Sequence, residues 1–104
     1  MVKKLKHDRY LEDLCDKIKD NYDTIITNIP LFSDEKKRSN KRRIVAEIDI
    51  LAIKEDRFDI YEVKCSYRII KAKHQLKKIK KILPKVENTF FFCGDSGILE
   101  AVLC

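Results

Sequence analysis

Apolar positions along this chain recur at two different spacings, and the places where the spacing changes outline its elements. Between Leu5 and Tyr22 they fall at Leu11, Leu14, Cys15, Ile18 and Tyr22. Steps of three and four predict an amphipathic helix. Glu12 borders its stripe, on the side shared with Asp8 and Cys15. The next stretch, "DTIITNIPLF", is rich in β-branched residues and alternates weakly. It predicts a strand over Thr24–Ile29, ended by Pro30. Residues 34–43 read as a loop. Strands follow over Arg43–Lys54 and Arg57–Cys65, turning at Glu55 and Asp56. Ile69, Ala72, Leu76, Ile79 and Leu83 form the stripe of a second helix, which Pro84 closes. Thr89–Cys93, "TFFFC", reads as a short buried strand. Gly94 and Gly97 mark turns, and the last residues suit either helix or strand. The order α-β-β-β-α-β implies an α/β fold: one domain over residues 1–104, with a mixed central β-sheet flanked by helices on both faces.

The middle hairpin breaks its own apolar pattern. In "AEIDILAIKEDRFDIYEVKC", residues 46–65, charged side chains sit between strongly apolar neighbours. Period-two alternation puts Glu47 and Asp49 on one face with Val45, Leu51, Ile53, Phe58 and Ile60. Ile48 and Ile50 belong to the other face. A turn centred between Glu55 and Asp56 sets Asp49 opposite Glu62, and Glu47 opposite Lys64. Directly opposed Cβ atoms lie about 4.5–5.5 Å apart. Two facing carboxylates in partial burial repel, and unpaired buried charge costs several kcal/mol. Relief comes from a protonated carboxyl, an opening to water, or a bridging divalent cation. Mg²⁺ fits the last, since it takes oxygen ligands and keeps several waters. Lys64 would then stand beside a metal-bound water, where an ammonium offsets charge growing on a phosphate. Alternatively, Lys64 forms only a cross-strand pair with Glu47, a contact worth about 0–1 kcal/mol.

Composition narrows the class further. The chain has 104 residues, 44% hydrophobic and 38% charged, with two Gly and two Pro, which describes a small globular domain. No apolar run approaches the roughly 18 residues of a membrane span, and the basic N-terminal stretch lacks a signal peptide's apolar core. A soluble cytoplasmic protein is expected. Cys15, Cys65, Cys93 and Cys104 show no zinc-type spacing and read as reduced, small hydrophobes. The net charge is +6, and it is clustered. "KKRSNKRR", Lys36 to Arg43, holds six basic residues in eight, and Lys71 to Lys85 holds seven lysines. Such clusters suit a phosphate backbone, with Lys36, Lys37, Arg38, Lys41, Arg42, Arg43, Lys71 and Lys78 as the phosphate contacts. His74 lies among these lysines and would meet phosphate or water; His7 carries no assigned role.

Asp49, then Glu62-Val63-Lys64, resembles the D…ExK core of the PD-(D/E)XK nuclease superfamily. The helix bearing Glu12, the hairpin and the helix after ExK match the order of its restriction-endonuclease-like core. Within it the chain is most similar to archaeal-type Holliday junction resolvases, across roughly residues 5–93. The resemblance implies Asp49, Glu62, the Val63 carbonyl and Glu12 as metal ligands, and Lys64 as the residue handling the attacking water. It implies Mg²⁺ as cofactor, with Mn²⁺ as a substitute. Gln75 matches a glutamine that related nucleases carry near the site, and Ser39 a serine that some resolvases carry before the aspartate. Ile79 stands where many recombination-type exonucleases have tyrosine.

The expectation is therefore a Mg²⁺-dependent, structure-selective DNA endonuclease, a metal-dependent deoxyribonuclease of the resolvase kind. Its partner is branched DNA, without a membrane. Paired cuts imply a two-fold homodimer, with the apolar stretch "TFFFCGDSGILEAVLC" as its interface. The alternatives are a repair or restriction-type nuclease of the same fold acting on flaps, nicks or ends, and a non-catalytic, basic nucleic-acid-binding protein. The last gains nothing from a carboxylate pair, which repels phosphate.

Overall fold

Helical periodicity and strand alternation produce the elements where they are expected. A computed structural model describes residues 5–33 and 43–104. Helix α1 spans Lys6–Ile18 and runs into a single 3-10 turn, Lys19–Asn21; helix α2 spans Ile69–Ile82. The strands are β1 (Thr24–Phe32), β2 (Ile44–Lys54), β3 (Arg57–Lys64), β4 (Val86–Cys93) and β5 (Leu99–Ala101). They form one mixed five-stranded sheet in chain order. Neighbours are antiparallel except β3 and β4, which run parallel with α2 as their crossover.

The helices cover opposite faces. Leu11, Leu14 and Ile18 of α1 pack with Ile50, Ala52, Tyr61, Val63 and Phe92. Ala72, Leu76 and Ile79 of α2 pack with Ile48, Ile60, Phe91 and Cys93. Burying such stripes supplies most of a small domain's driving force, at roughly 25 cal/mol per Å² of apolar surface. The four cysteines are unpaired, and Cys93 is a core residue.

Three expectations need correction. Pro30 does not end β1, which continues to Phe32. As an edge strand, β1 tolerates a residue without an N–H. The β4 strand begins at Val86 rather than Thr89, and the tail is extended, with β5 pairing to Phe90–Phe92.

The third correction concerns the faces of β2. Alternation puts Ile48 and Ile50 on one side, yet Ile48 packs towards α2 and Ile50 towards α1. The same switch occurs on β1. Ile25 packs on the α1 side, Ile29 and Leu31 on the α2 side. Thr27 pairs with Ile50 and Ile29 with Ile48, while no pairing joins the intervening Asn28 and Asp49. Asn28 has a left-handed backbone, φ 56°. One such residue rotates the strand and resets its alternation. The kink falls at Asp49.

Lys36, Lys37, Arg38, Ser39, Lys41 and Arg42 lie outside the described residues. Among the described residues, no helix is long and apolar enough to cross a membrane.

Candidate active site

The β2–β3 ladder follows the register expected from its turn, from Lys54–Arg57 to Ile50–Tyr61, and stops there. The following rung, the expected opposition of Asp49 to Glu62, does not form. Because β2 kinks at that position, Asp49 turns its carboxylate across the gap. Its Oδ2 accepts the Val63 N–H at 2.9 Å, taking the place of a backbone acceptor. The Asp49 carboxylate also lies near enough to Glu62 to raise its pKa.

Glu62 is only 3% exposed, on the α2 face beside Phe91. Burial pushes its pKa up to about 9; Asp49 adds to the rise, and Lys64 opposes it. Burial and the neighbouring carboxylate thus favour the protonated form of Glu62. Lys64 lies at the end of β3, with Nζ 3.8 Å from Glu62 Oε2. The expected Glu47–Lys64 opposition does not form. The β2–β3 ladder ends before that rung, and Glu47 is exposed.

From α1, His7 meets this cluster. Its Nε2 is 2.9 Å from Val63 O and 3.5 Å from Asp49 Oδ2; Nδ1 is 3.7 Å from Asp8. The sequence carries a signal for it. His7 precedes Leu11 by four residues and Leu14 by seven, so it extends the buried stripe by one turn. Glu12 instead lines an open groove of about 500 Å³ between α1 and β1, with Asp8, Cys15, Asp16, Thr27 and Asn28. Asn28 stands beside Asp49 across the unpaired rung, which makes this groove a neighbour of the carboxylate pair.

The remaining candidates are placed more simply. Lys71, Gln75 and Lys78 are exposed on α2 and, at spacings of four and three, follow one helical stripe. Arg43 is exposed just before β2.

The donor set suits a hard cation. A buried acid beside a second carboxylate marks a place for positive charge, and the Val63 carbonyl, 2.9 Å from His7 Nε2, would add a third oxygen. Among the described residues, no three His, Cys, Asp or Glu side chains form a metal cluster. A cation here would be held by two carboxylates and a main-chain oxygen, with water completing its shell, as Mg²⁺ commonly is.

No protein-family model matches the chain, and no curated protein matches it.

Proposed function

We propose that this protein is a Mg²⁺-dependent, structure-selective DNA endonuclease of the PD-(D/E)XK type, acting on branched DNA as Holliday junction resolvases do. One observation carries the reading: where β2 and β3 part, Asp49 lies near enough to the buried Glu62 to raise its pKa, with Lys64 Nζ 3.8 Å from Glu62 Oε2. A buried acid whose pKa is raised by a neighbouring carboxylate costs stability near neutral pH, a cost that a bound cation would offset.

Asp49, Glu62 and the Val63 carbonyl would hold Mg²⁺, or Mn²⁺ in its place. The ion would supply an acidified water and charge stabilisation at the scissile phosphate. Lys64 orients the attacking water and offsets charge on the phosphate oxygens. His7 is the contribution of α1, touching two of the donor groups; Glu12 faces the adjoining groove. Arg43, Lys71, Gln75 and Lys78 hold the flanking backbone, together with the basic segment Lys36 to Arg42. Phosphate contacts of this kind give salt-sensitive, sequence-tolerant binding.

Cleavage of four-way junctions, flaps, nicked duplexes and linear duplexes with Mg²⁺ tests the reading. Wild type should cut branched DNA. Asp49→Asn and Glu62→Gln should each lower the rate at least a hundredfold while DNA binding is kept or improved. Cleavage of flaps or ends in preference to junctions would favour a repair-type enzyme. Absence of cleavage with both Mg²⁺ and Mn²⁺ would leave a basic DNA-binding protein.

A further inference from the structure

The turn after β4 touches both halves of the candidate site from behind. Gly94 N–H donates to Lys64 O, and Asp95 N–H to Cys65 O, each at 2.8 Å. The turn is thus fastened to the end of β3 that carries Glu62-Val63-Lys64. The same two residues also grip α1. The Tyr10 hydroxyl donates to Asp95 Oδ1 at 2.7 Å, and Lys6 Nζ lies 3.4 Å from that oxygen. The Tyr10 ring rests on Gly94 so closely that a Cβ there would fall 2.1 Å from ring carbons Cγ and Cδ2.

Gly94 and Gly97 answer different needs. Gly97 has φ 76°, with open space around its would-be Cβ. Gly94 is not among the residues with positive φ. The Tyr10 ring, rather than the backbone, excludes a side chain at Gly94. At this end of α1 the N-cap, Leu5, makes no side-chain cap hydrogen bond, and Asp8 is the acid of the first turn. First turns without caps fray. Asp95 offsets this by placing negative charge at the helix N-terminus. His7 lies in that turn, next to Lys6 and three residues before Tyr10.

We infer that Gly94, Asp95 and Tyr10 form a clamp that positions His7 against Val63 O and Asp49 Oδ2. They are positioning residues, since none touches the carboxylate pair. The purpose of the clamp rests on the proposed nuclease site; its geometry does not.

Two measurements separate these. The first is the nitrogen-15 spectrum of the His7 imidazole in metal-free protein, with His74→Gln to leave a single histidine. Gly94→Ala drives a wedge under Tyr10 and should move the His7 signals towards those of a free imidazole. Tyr10→Phe removes only the hydroxyl and should move them the same way by less. Both variants should still melt cooperatively. If Gly94→Ala fails to fold, Tyr10→Phe decides the matter. Signals unchanged in the folded variants overturn the clamp. The second measurement is Mn²⁺ affinity by calorimetry. Supporting residues around metal sites change affinity about 10- to 100-fold, so Gly94→Ala should weaken binding roughly tenfold. In a His7→Ala background it should have no further effect. An equal loss in that background overturns action through His7. A wild type that binds no Mn²⁺ overturns the nuclease reading, and the clamp is then judged on the His7 spectra.

Discussion

Burial and the nearby Asp49 carboxylate push the Glu62 pKa up, and this has a measurable consequence. Its folded pKa is about 9, well above that of an unfolded glutamate. The folded state therefore retains a proton that the unfolded state has released. Stability from this group is fully present below about pH 4.5 and is lost as pH rises towards about 9. In EDTA the melting temperature should fall across that window. Glu62→Gln keeps the shape and a hydrogen-bonding group without the charge, and should flatten this part of the profile. A wild-type profile parallel to that of the variant would show that Glu62 does not hold the proton. A second residue, Asp59, is also buried at 2% exposure yet fully served. It accepts from Tyr22 at 2.7 Å and Asn88 at 2.9 Å, with Arg57 Nε 3.3 Å away. That network ties β3 to β4 and to the segment after α1, and it explains one buried acid by structure alone. Asp49 has the Val63 N–H and His7 beside it, whereas Glu62, as buried as Asp59, has Lys64 at 3.8 Å among the described residues.

At the scale of elements, the decisive feature is the kink shared by β1 and β2. Asn28 supplies it with a left-handed backbone, which asparagine tolerates better than most residues. Asn28→Gly should be close to neutral in urea unfolding. Asn28→Val should cost about 1–2 kcal/mol, because a β-branched residue pays the full left-handed penalty. Equal stability of the two would show that the strand is not held in this conformation. The kink also directs Asp49 towards Val63 N–H; an uninterrupted β2 would leave that donor to a backbone carbonyl.

For the whole molecule, the sheet's arrangement decides which surface is left for a partner. The phenylalanine run is largely used inside: Phe91 and Phe92 are buried, and Phe90 stacks on Tyr61 at 4.6 Å between ring centroids. What remains apolar and exposed at this end is Ile98, Leu99 and Leu103, around the edge strand β5. The proposed homodimer therefore has the β5 edge to use rather than the whole C-terminal stretch. An unpaired edge favours antiparallel pairing with its own copy, which satisfies a two-fold axis. Mass in solution at micromolar concentration checks this. A dimer that dissociates on Leu99→Lys is expected; a strict monomer would exclude paired cutting by this chain alone.

Period, turn position and residue type suffice to define α1, α2 and the hairpin register from Lys54–Arg57 to Ile50–Tyr61. Each depends on neighbours close in sequence or on a two-residue turn, and local backbone geometry transmits that information directly. The position of His7, the face switch at Asn28 and Asp49, and the Gly94–Tyr10 contact were not readable in this way. Each joins segments far apart in the chain, 56 residues in the case of His7 and Val63. Only the stacking of α1 on the sheet, with the crossover that brings β4 beside β3, brings them into contact.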